Sequence, residues 1–205
     1  MVLDNPRFGR GRWLGVLTIL VGGGLLVWLV VGELSSSPQV DVVGDSITAL
    51  SQPAIASSLA RNGFNPVIDG VVGIRIAQAA PGVSQLAQNQ PFGWVIELGT
   101  NDAGGGNTQW MLPFLSVWRT ISAARCVVYV TVSPRDGAIA AGINAAIRSL
   151  AQSHSNVHVL DWGNLEYTQS GWVEPDGIHP TPAGQVALAD AEATALQKDC
   201  LPRSD

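Results

Sequence analysis

The chain has 205 residues, of which 46% are apolar and only 13% are charged, and its formal net charge at pH 7 is −5. This composition excludes an intrinsically disordered polymer, which combines low hydrophobicity with high net charge. The excess of acidic residues also argues against a nucleic-acid-binding protein, because neutralising phosphates requires a basic surface. The length fits one domain with room for an additional segment.

The first predicted element is an uncharged apolar segment at residues 13–32. As a helix it would span about 30 Å, which matches the hydrocarbon core of a bilayer. Arg7, Arg10 and Arg12 precede the segment, and Glu33 follows it. Because positive charge stays on the cytoplasmic side, these flanks predict a transmembrane signal anchor with its amino terminus inside the cell.

This anchor divides the chain into a cytoplasmic basic segment at 1–12, a linker at 33–38 and an extracytoplasmic domain at 39–205. A cleaved signal peptide is the alternative, which would leave a secreted protein, but no clear A-x-A cleavage site follows the segment. Either arrangement exposes the domain to an oxidising compartment. A disulfide between Cys126 and Cys200 is therefore expected, with two separate buried thiols as the alternative.

Beyond the anchor, short apolar runs alternate with stretches of helical spacing. The predicted strands are 39–43, 66–72, 94–98, 126–132 and 157–160. The predicted helices are 47–61, 74–88 with a break at Pro81, 107–124 with an interruption near Pro113, 137–152 and 181–198, the last capped by Thr181. This alternation implies βαβ crossovers, and hence an α/β fold: a three-layer α/β/α sandwich with a five-stranded parallel sheet, flavodoxin-like in outline. Ligands of such sheets bind beyond the carboxyl ends of the strands.

Two polar segments at that edge carry residues suited to nucleophilic chemistry. Gly44–Thr48 places Ser46 at a helix amino terminus, where the helix dipole favours a developing anion, although a serine there is alternatively only a helix cap. Asp176–Pro180 precedes the last helix. In it, His179 has the side chain of a general base, and Asp176 can fix its orientation.

Further candidates follow the second and third strands. Gly73 can offer its backbone N–H without a side chain in the way, or is simply a turn residue. Asn101 can donate its neutral amide to an oxyanion, or can close a turn on its own backbone. Asp102 is expected to brace its loop. His154 and His158 lack a cysteine cluster or other partners, so no metal site is predicted.

Taken in chain order, these motifs resemble the SGNH/GDSL hydrolase superfamily. The matching motifs are GDSIT at 44–48, the glycine of VVGIR at 73, GTND at 99–102 and DGIH at 176–179. The resemblance covers residues 39–198 and departs from the common GDSL motif only in having isoleucine where many members have leucine. It implies the SGNH hydrolase fold.

The resemblance also implies roles for individual residues. Ser46 would be the nucleophile, His179 its general base and then general acid, and Asp176 the residue that orients His179. The oxyanion hole would consist of the Ser46 N–H, the Gly73 N–H and the Asn101 side chain. The reaction would need neither a cofactor nor a metal ion.

Two other residues attract attention because of their position. Glu97 lies inside an apolar strand, where an isolated charge is costly, so it is expected to pair with an arginine such as Arg75 or Arg135. Trp172 precedes the histidine motif and is expected to pack in the core, with lining of an acyl or sugar pocket as the alternative.

The sequence thus predicts a membrane-anchored extracytoplasmic serine esterase. Its expected substrates are O-acyl esters, chiefly O-acetyl esters, of envelope carbohydrate, or small lipid esters. The alternatives are an O-acetyltransferase acting on envelope polysaccharide and a carbohydrate-binding module of the same fold without turnover. A nucleotide-binding flavodoxin-like protein is disfavoured, because the first loop lacks a phosphate-cradling run of glycines.

Overall fold

A computed structural model describes residues 16–21, 25–30 and 37–201. Within the predicted anchor, strand β1 (Val16–Val21) pairs antiparallel with strand β2 (Leu25–Val30). Both runs are rich in Val, Ile and Leu, and the β-branched residues among them favour strands. The transmembrane helix expected at 13–32 is therefore not confirmed, and the rest of that segment lies outside the described residues. Within the described ranges, no helix is both long enough and apolar enough to cross a membrane.

The unit that begins at Ser37 is built on a five-stranded parallel sheet with the order β4-β3-β5-β6-β7. Its strands are β3 (Gln39–Gly44), β4 (Asn65–Gly70), β5 (Gly93–Glu97), β6 (Cys126–Val130) and β7 (Val157–Leu160). In the sheet register, Gly44 lies opposite Gly70 on one side and Glu97 on the other. The three adjacent strands β4, β3 and β5 therefore end at one edge, and the segments that follow them meet there.

Helices connect these strands and cover the sheet. They are α1 (Ser46–Arg61), α2 (Ile76–Leu86), α3 (Thr100–Gly104), α4 (Met111–Ile121), α5 (Gly137–Ser153), α6 (Trp162–Thr168) and α7 (Pro182–Cys200). The short helices α3 and α6 were not expected, because five to seven residues are too few to show a helical period. The Thr181 cap is confirmed, since its side chain accepts a hydrogen bond from the Gly184 N–H at 3.2 Å.

The interruption predicted near Pro113 is wrong, because α4 runs through that residue, and the break predicted at Pro81 is wrong, because α2 continues through this residue to Leu86. A proline removes the hydrogen bond to the carbonyl four residues earlier, here that of Ala77. Both residues are exposed, so water can hydrate the carbonyl that loses its partner. The helix therefore tolerates a residue that would break a buried one.

Two apolar clusters lie on the two faces of the sheet. Trp94 and Tyr129 belong to one cluster, whereas their chain neighbours Val95 and Val128 belong to the other together with Leu188 of α7. All five side chains are buried. Because successive residues of a strand point to opposite faces, this arrangement confirms the predicted three layers.

The expected disulfide is present. It joins Cys126, the first residue of β6, to Cys200, the last residue of α7, with their Cα atoms 5.5 Å apart. The bridge closes a loop of 74 residues in sequence separation. A crosslink of that span stabilises a domain by about 4 kcal/mol, mainly by restricting the unfolded chain.

Candidate active site

The structure brings three of the predicted residues into one chain of hydrogen bonds. His179 Nε2 lies 3.0 Å from Ser46 Oγ, although the two residues are 133 positions apart in the sequence. His179 Nδ1 lies 2.7 Å from Asp176 Oδ2. In this order a carboxylate faces one ring nitrogen and a hydroxyl faces the other. An imidazole held in this way can take the proton of the hydroxyl.

Ser46 is the first residue of α1, but it is not the cap of that helix. Asp45 is the cap, since its Oδ1 accepts a hydrogen bond from the Ile47 N–H at 3.0 Å. The Ser46 hydroxyl therefore contacts His179 and is not occupied by the helix end. The backbone N–H of Ser46 has no acceptor among the described residues, so it is available to a ligand.

Gly44 lets the chain turn from β3 into α1 under close packing. A Cβ atom at this position would collide with the Thr48 hydroxyl and would lie 2.9 Å from the backbone oxygen of Glu97. Because neither neighbour can move without disturbing the first turn of α1, the position requires glycine. This tight turn fixes the position of Ser46 relative to the end of β3.

Asp176 is held by its own turn as well as by the imidazole. Its Oδ1 accepts hydrogen bonds from the Ile178 N–H at 2.9 Å and the His179 N–H at 3.0 Å. The hydrogen bond from the His179 side chain, followed by these two backbone donors, lowers the pKa of Asp176 to about 2. The carboxylate is therefore ionised at any pH at which the imidazole can act as a base.

The predicted oxyanion donors other than Ser46 lie on the loop that precedes α2 and on the short helix α3. Gly73 is exposed and has a φ of +77°, and its N–H has no acceptor within the described part of the chain. Asn101 Nδ2 donates to the Ile74 carbonyl at 3.1 Å, which places the amide beside the loop that carries Gly73. One N–H of the amide remains for another acceptor.

Asp102 braces these loops, as predicted. It is fully buried, and its Oδ2 accepts a hydrogen bond from the Ile76 N–H at 2.9 Å. Its Oδ1 accepts from Asn107 Nδ2 at 2.6 Å. The residue thus joins α3 to the start of α2 and to Asn107, which follows α3.

The expected pairing of Glu97 with an arginine is wrong. Its carboxylate oxygen Oε2 accepts hydrogen bonds from Thr48 instead, from Oγ1 at 2.9 Å and from the backbone N–H at 3.2 Å. No ion pair of Glu97 with Arg75 or Arg135 exists among residues 37–201. Glu97 is the last residue of β5 and lies beside the start of α1. The N–H and the hydroxyl of Thr48 in the first turn of that helix take the place of an arginine as donors.

Asp45 is a functional candidate that the sequence prediction missed. Burial raises its pKa to about 6, opposed chiefly by the hydrogen bond that it accepts from the Ile47 N–H. Burial and the neighbouring Asp45 raise the pKa of Glu97 well above its usual value. The available signal was an aspartate immediately before a predicted helix, which is a common capping residue.

The loop that carries His179 accepts a hydrogen bond from Arg135, a residue of another segment. The guanidinium of Arg135 lies 5.1 Å from the centre of the Tyr167 ring, and its Nη1 donates to the Gly177 carbonyl at 3.4 Å. Trp172 stacks on Trp162 with ring centres 5.4 Å apart and an angle of 9° between planes. Trp172 thus packs against the core, as expected.

The other two histidines lie away from these groups. The His154 ring packs against Trp118 at 4.8 Å between centres, and His158 lies in β7. Within the described ranges, no three His, Cys, Asp or Glu side chains lie close enough to hold a metal ion. A cavity of about 420 Å³, lined by Phe92 and Arg125 among others, lies near the amino end of β5 and contains none of the residues of the hydrogen-bonded chain.

Comparison with known proteins identifies the family of the chain. Residues 42–187 match the GDSL-like lipase/acylhydrolase family, and the matched segment includes Ser46, Asp176 and His179. The chain belongs to this family. The predicted resemblance to the SGNH/GDSL superfamily is thereby confirmed, and members of such a family act on ester bonds.

The curated relatives of the chain include OatA and YrhL. The O-acetyltransferase OatA of Staphylococcus aureus is 33% identical over 160 residues, which cover 76% of this chain and 24% of the relative. YrhL of Bacillus subtilis, provisionally named a peptidoglycan O-acetyltransferase, is 30% identical over 164 residues, 79% of this chain and 24% of that protein. The chain therefore spans about a quarter of the length of the curated relatives that it matches.

Solved structures share the fold over nearly their whole length. The C-terminal catalytic domain of the Streptococcus pneumoniae peptidoglycan O-acetyltransferase A has a TM-score of 0.66 at 22% identity, covering 80% of this chain and 96% of that domain. The acetyl xylan esterase Axe2 of Geobacillus stearothermophilus has a TM-score of 0.64 at 15% identity, covering 82% and 98%. These likenesses confirm the predicted α/β sandwich of the SGNH type.

Proposed function

We propose that this protein is a serine esterase that removes O-acyl groups, chiefly O-acetyl groups, from envelope carbohydrate outside the cytoplasm. The observation that carries this proposal is the hydrogen-bonded chain Asp176–His179–Ser46, with distances of 2.7 and 3.0 Å. A serine hydroxyl is a weak nucleophile by itself and requires an adjacent base. Here Ser46 contacts the base His179, and His179 contacts the carboxylate of Asp176 that orients it.

In the proposed reaction, Ser46 Oγ attacks the ester carbonyl while its proton passes to His179 Nε2. The C–O bond to the sugar then breaks, and His179 returns the proton to the leaving alcohol oxygen. Asp176 keeps the imidazole in the tautomer that receives the proton on Nε2. A water molecule next attacks the acyl-serine ester with His179 as base, which releases the carboxylic acid and restores the Ser46 hydroxyl.

The negative charge on the tetrahedral intermediate needs donors that are already in place. The Ser46 N–H, the Gly73 N–H and the Asn101 side chain are the proposed donors. Both backbone N–H groups lack acceptors among residues 37–201, which supports this assignment. Loss of one such donor costs about 10²–10³ in kcat.

An O-acetyltransferase is the second candidate, because both curated relatives described above are named O-acetyltransferases. The chemistry is the same up to the acyl-serine, after which a sugar hydroxyl replaces water as the acceptor. A carbohydrate-binding module without turnover is the third candidate, and the intact hydrogen-bonded chain argues against it. Small lipid esters remain the other substrate class of the proposed esterase.

We also propose that the domain works outside the cytoplasm, anchored through residues 13–32 or secreted after their removal. The disulfide between Cys126 and Cys200 supports this location, because such bonds persist in oxidising compartments. The basic residues before the apolar segment support the same orientation.

Hydrolysis of p-nitrophenyl acetate by the purified full chain tests the esterase proposal. The Ser46→Ala variant should lose at least about 10³-fold in kcat/KM, because no other group can form the acyl intermediate. Ser57→Ala, an exposed serine on the same helix, is the matched control and should keep its activity. Equal rates for the wild type and Ser46→Ala would remove Ser46 as the nucleophile.

The same assay with an N-acetylglucosamine oligosaccharide added as acceptor separates hydrolysis from transfer. An esterase releases free acetate, and its rate does not depend on the acceptor. A transferase forms acetylated oligosaccharide, which mass spectrometry detects as it accumulates in place of acetate. Predominant sugar acetylation would overturn the esterase assignment in favour of the transferase.

A further inference from the structure

We propose that Asp45 and Glu97 hold one proton between them and together position the first turn of α1, so that the Ser46 N–H and hydroxyl face the substrate. This inference rests on the proposed function, since it assigns positioning residues for the same nucleophile. Neither residue touches the reacting atoms. Each acts through the backbone that carries Ser46.

The two carboxyl groups bind successive N–H groups at the start of the helix. Asp45 accepts from the Ile47 N–H at 3.0 Å, and Glu97 accepts from the Thr48 N–H at 3.2 Å. Glu97 also accepts from the Thr48 hydroxyl at 2.9 Å, and its backbone oxygen accepts from the Asp45 N–H at 3.2 Å. Of the first three N–H groups of α1, only that of Ser46 is left without an acceptor among the described residues.

Two carboxyl groups in this setting cannot both carry a charge. Asp45 is fully buried and Glu97 is 4% exposed, and the two carboxyl groups accept hydrogen bonds from consecutive N–H groups of the same helix turn. The buried atom Asp45 Oδ2 has no N–H or O–H donor among residues 37–201. A proton held between the carboxyl groups would supply that donor, and it would remove one of two like charges in a region of low dielectric.

The groups that face this pair favour a single negative charge. The charge of His179 opposes the rise in the pKa of Asp45, whereas Asp136 adds to it. On the other side, Glu192 of α7 adds to the rise in the pKa of Glu97. A second negative charge beside Ser46 would raise the energy of the oxyanion, so loss of the shared proton at high pH should slow the reaction.

Substitutions of Glu97 distinguish positioning from simple packing. Glu97→Leu removes the acceptor for Thr48 and should lower kcat about 100-fold at unchanged KM, since only the orientation of the helix turn is lost. Glu97→Gln keeps an acceptor and a donor without a charge, and should restore kcat to within about threefold of the wild type. It should also abolish the fall in kcat at alkaline pH.

Asp41→Asn is the matched control, because Asp41 is a fully buried carboxyl of β3 whose hydrogen bond is to Gln39 and not to α1. It should leave kcat and its pH profile unchanged. Equal kcat values for Glu97→Leu and the wild type, or equal losses for the Leu and Gln variants, would overturn the proposal. Folding of each variant is checked by its thermal unfolding midpoint.

Infrared spectroscopy of the wild-type protein provides a test that does not depend on a variant remaining active. A protonated-carboxyl band at neutral pH that disappears in Glu97→Gln but persists in Glu192→Gln supports the shared proton. A spectrum unchanged by Glu97→Gln contradicts it. Neither result depends on the esterase assay, so failure of this inference can be distinguished from failure of the proposed function.

Discussion

Asp176 illustrates how one exposed side chain fixes a histidine. Two backbone N–H groups hold Oδ1, which leaves Oδ2 to face the imidazole of His179 at 2.7 Å. The turn therefore orients the carboxylate, and the carboxylate orients the base. Because hydrogen bonds to its charged form lower the pKa of Asp176 to about 2, it should remain ionised over the whole range of an esterase assay.

Asp176→Asn should lower kcat by about 10²–10⁴-fold with little change in KM, because the amide can hold the imidazole in the wrong tautomer. The loss should persist from pH 5 to 9, since the wild-type carboxylate does not titrate there. Steady-state rates with p-nitrophenyl acetate measure the effect, and Asp199→Asn, an exposed aspartate of α7, is the control. A variant with wild-type kcat would show that His179 is oriented by other groups.

The turn from β3 into α1 is the element on which the site depends. Gly44 is packed so closely that a side chain there would meet the Thr48 hydroxyl, which itself binds Glu97. One residue later, the cap Asp45 begins the helix that carries Ser46. The strand, turn and helix thus form one rigid unit at the edge of the sheet.

Gly44→Ala should lower the free energy of unfolding by about 1–3 kcal/mol, because overpacking displaces neighbouring groups. It should also reduce kcat, since the displaced group is the first turn of α1. Gly104→Ala is the control, because an added Cβ has no neighbour within 4 Å and the residue does not have a positive φ. Equal denaturation midpoints for the wild type and Gly44→Ala would show that the turn has room to adjust.

The sequence predicted the positions of strands and motifs well, but it did not predict which residues bind each other across the fold. Apolar runs of β-branched residues located all five parallel strands, and the GTND motif located Asn101 and Asp102. The partner of Glu97 was wrongly predicted, because burial in a strand shows that a charge needs donors but not which donors. Those donors belong to Thr48, 49 positions away, and only the strand order brings them together.

Several carboxyl groups of the domain are buried. Glu192 is fully buried in α7, and neither of its carboxylate oxygens has a partner among residues 37–201. Burial raises its pKa to about 8. The folded protein thus carries neutral carboxyl groups in its interior at neutral pH, which makes its stability depend on pH.

The direction of this dependence follows from the raised pKa. In the unfolded chain Glu192 ionises above its ordinary pKa of 4.5, whereas in the folded chain it keeps its proton up to about pH 8. The free energy of unfolding is therefore highest below about pH 4.5 and falls as the pH rises to 8. The loss that Glu192 causes between pH 5 and pH 8 is on the order of 3 kcal/mol. Urea denaturation at pH 5 and pH 8 measures it.

Glu192→Leu should remove the part of the pH-dependent loss that Glu192 causes, leaving the part that the Asp45–Glu97 pair causes. Asp190→Asn, on the same helix but hydrogen-bonded at the surface to Ser58, should not remove it. Identical pH dependence in the wild type and Glu192→Leu would mean that Glu192 is ionised in the folded protein.

Reaction of the full chain with methanesulfonyl fluoride, followed by mass spectrometry of its peptides, tests directly whether Ser46 is the nucleophile activated by His179. We expect one sulfonyl group on Ser46, loss of esterase activity in proportion to labelling, and at least about 100-fold slower labelling in His179→Ala, because the hydroxyl needs its base. Labelling of a different residue in step with inactivation, or equal labelling rates with and without His179, would contradict this assignment.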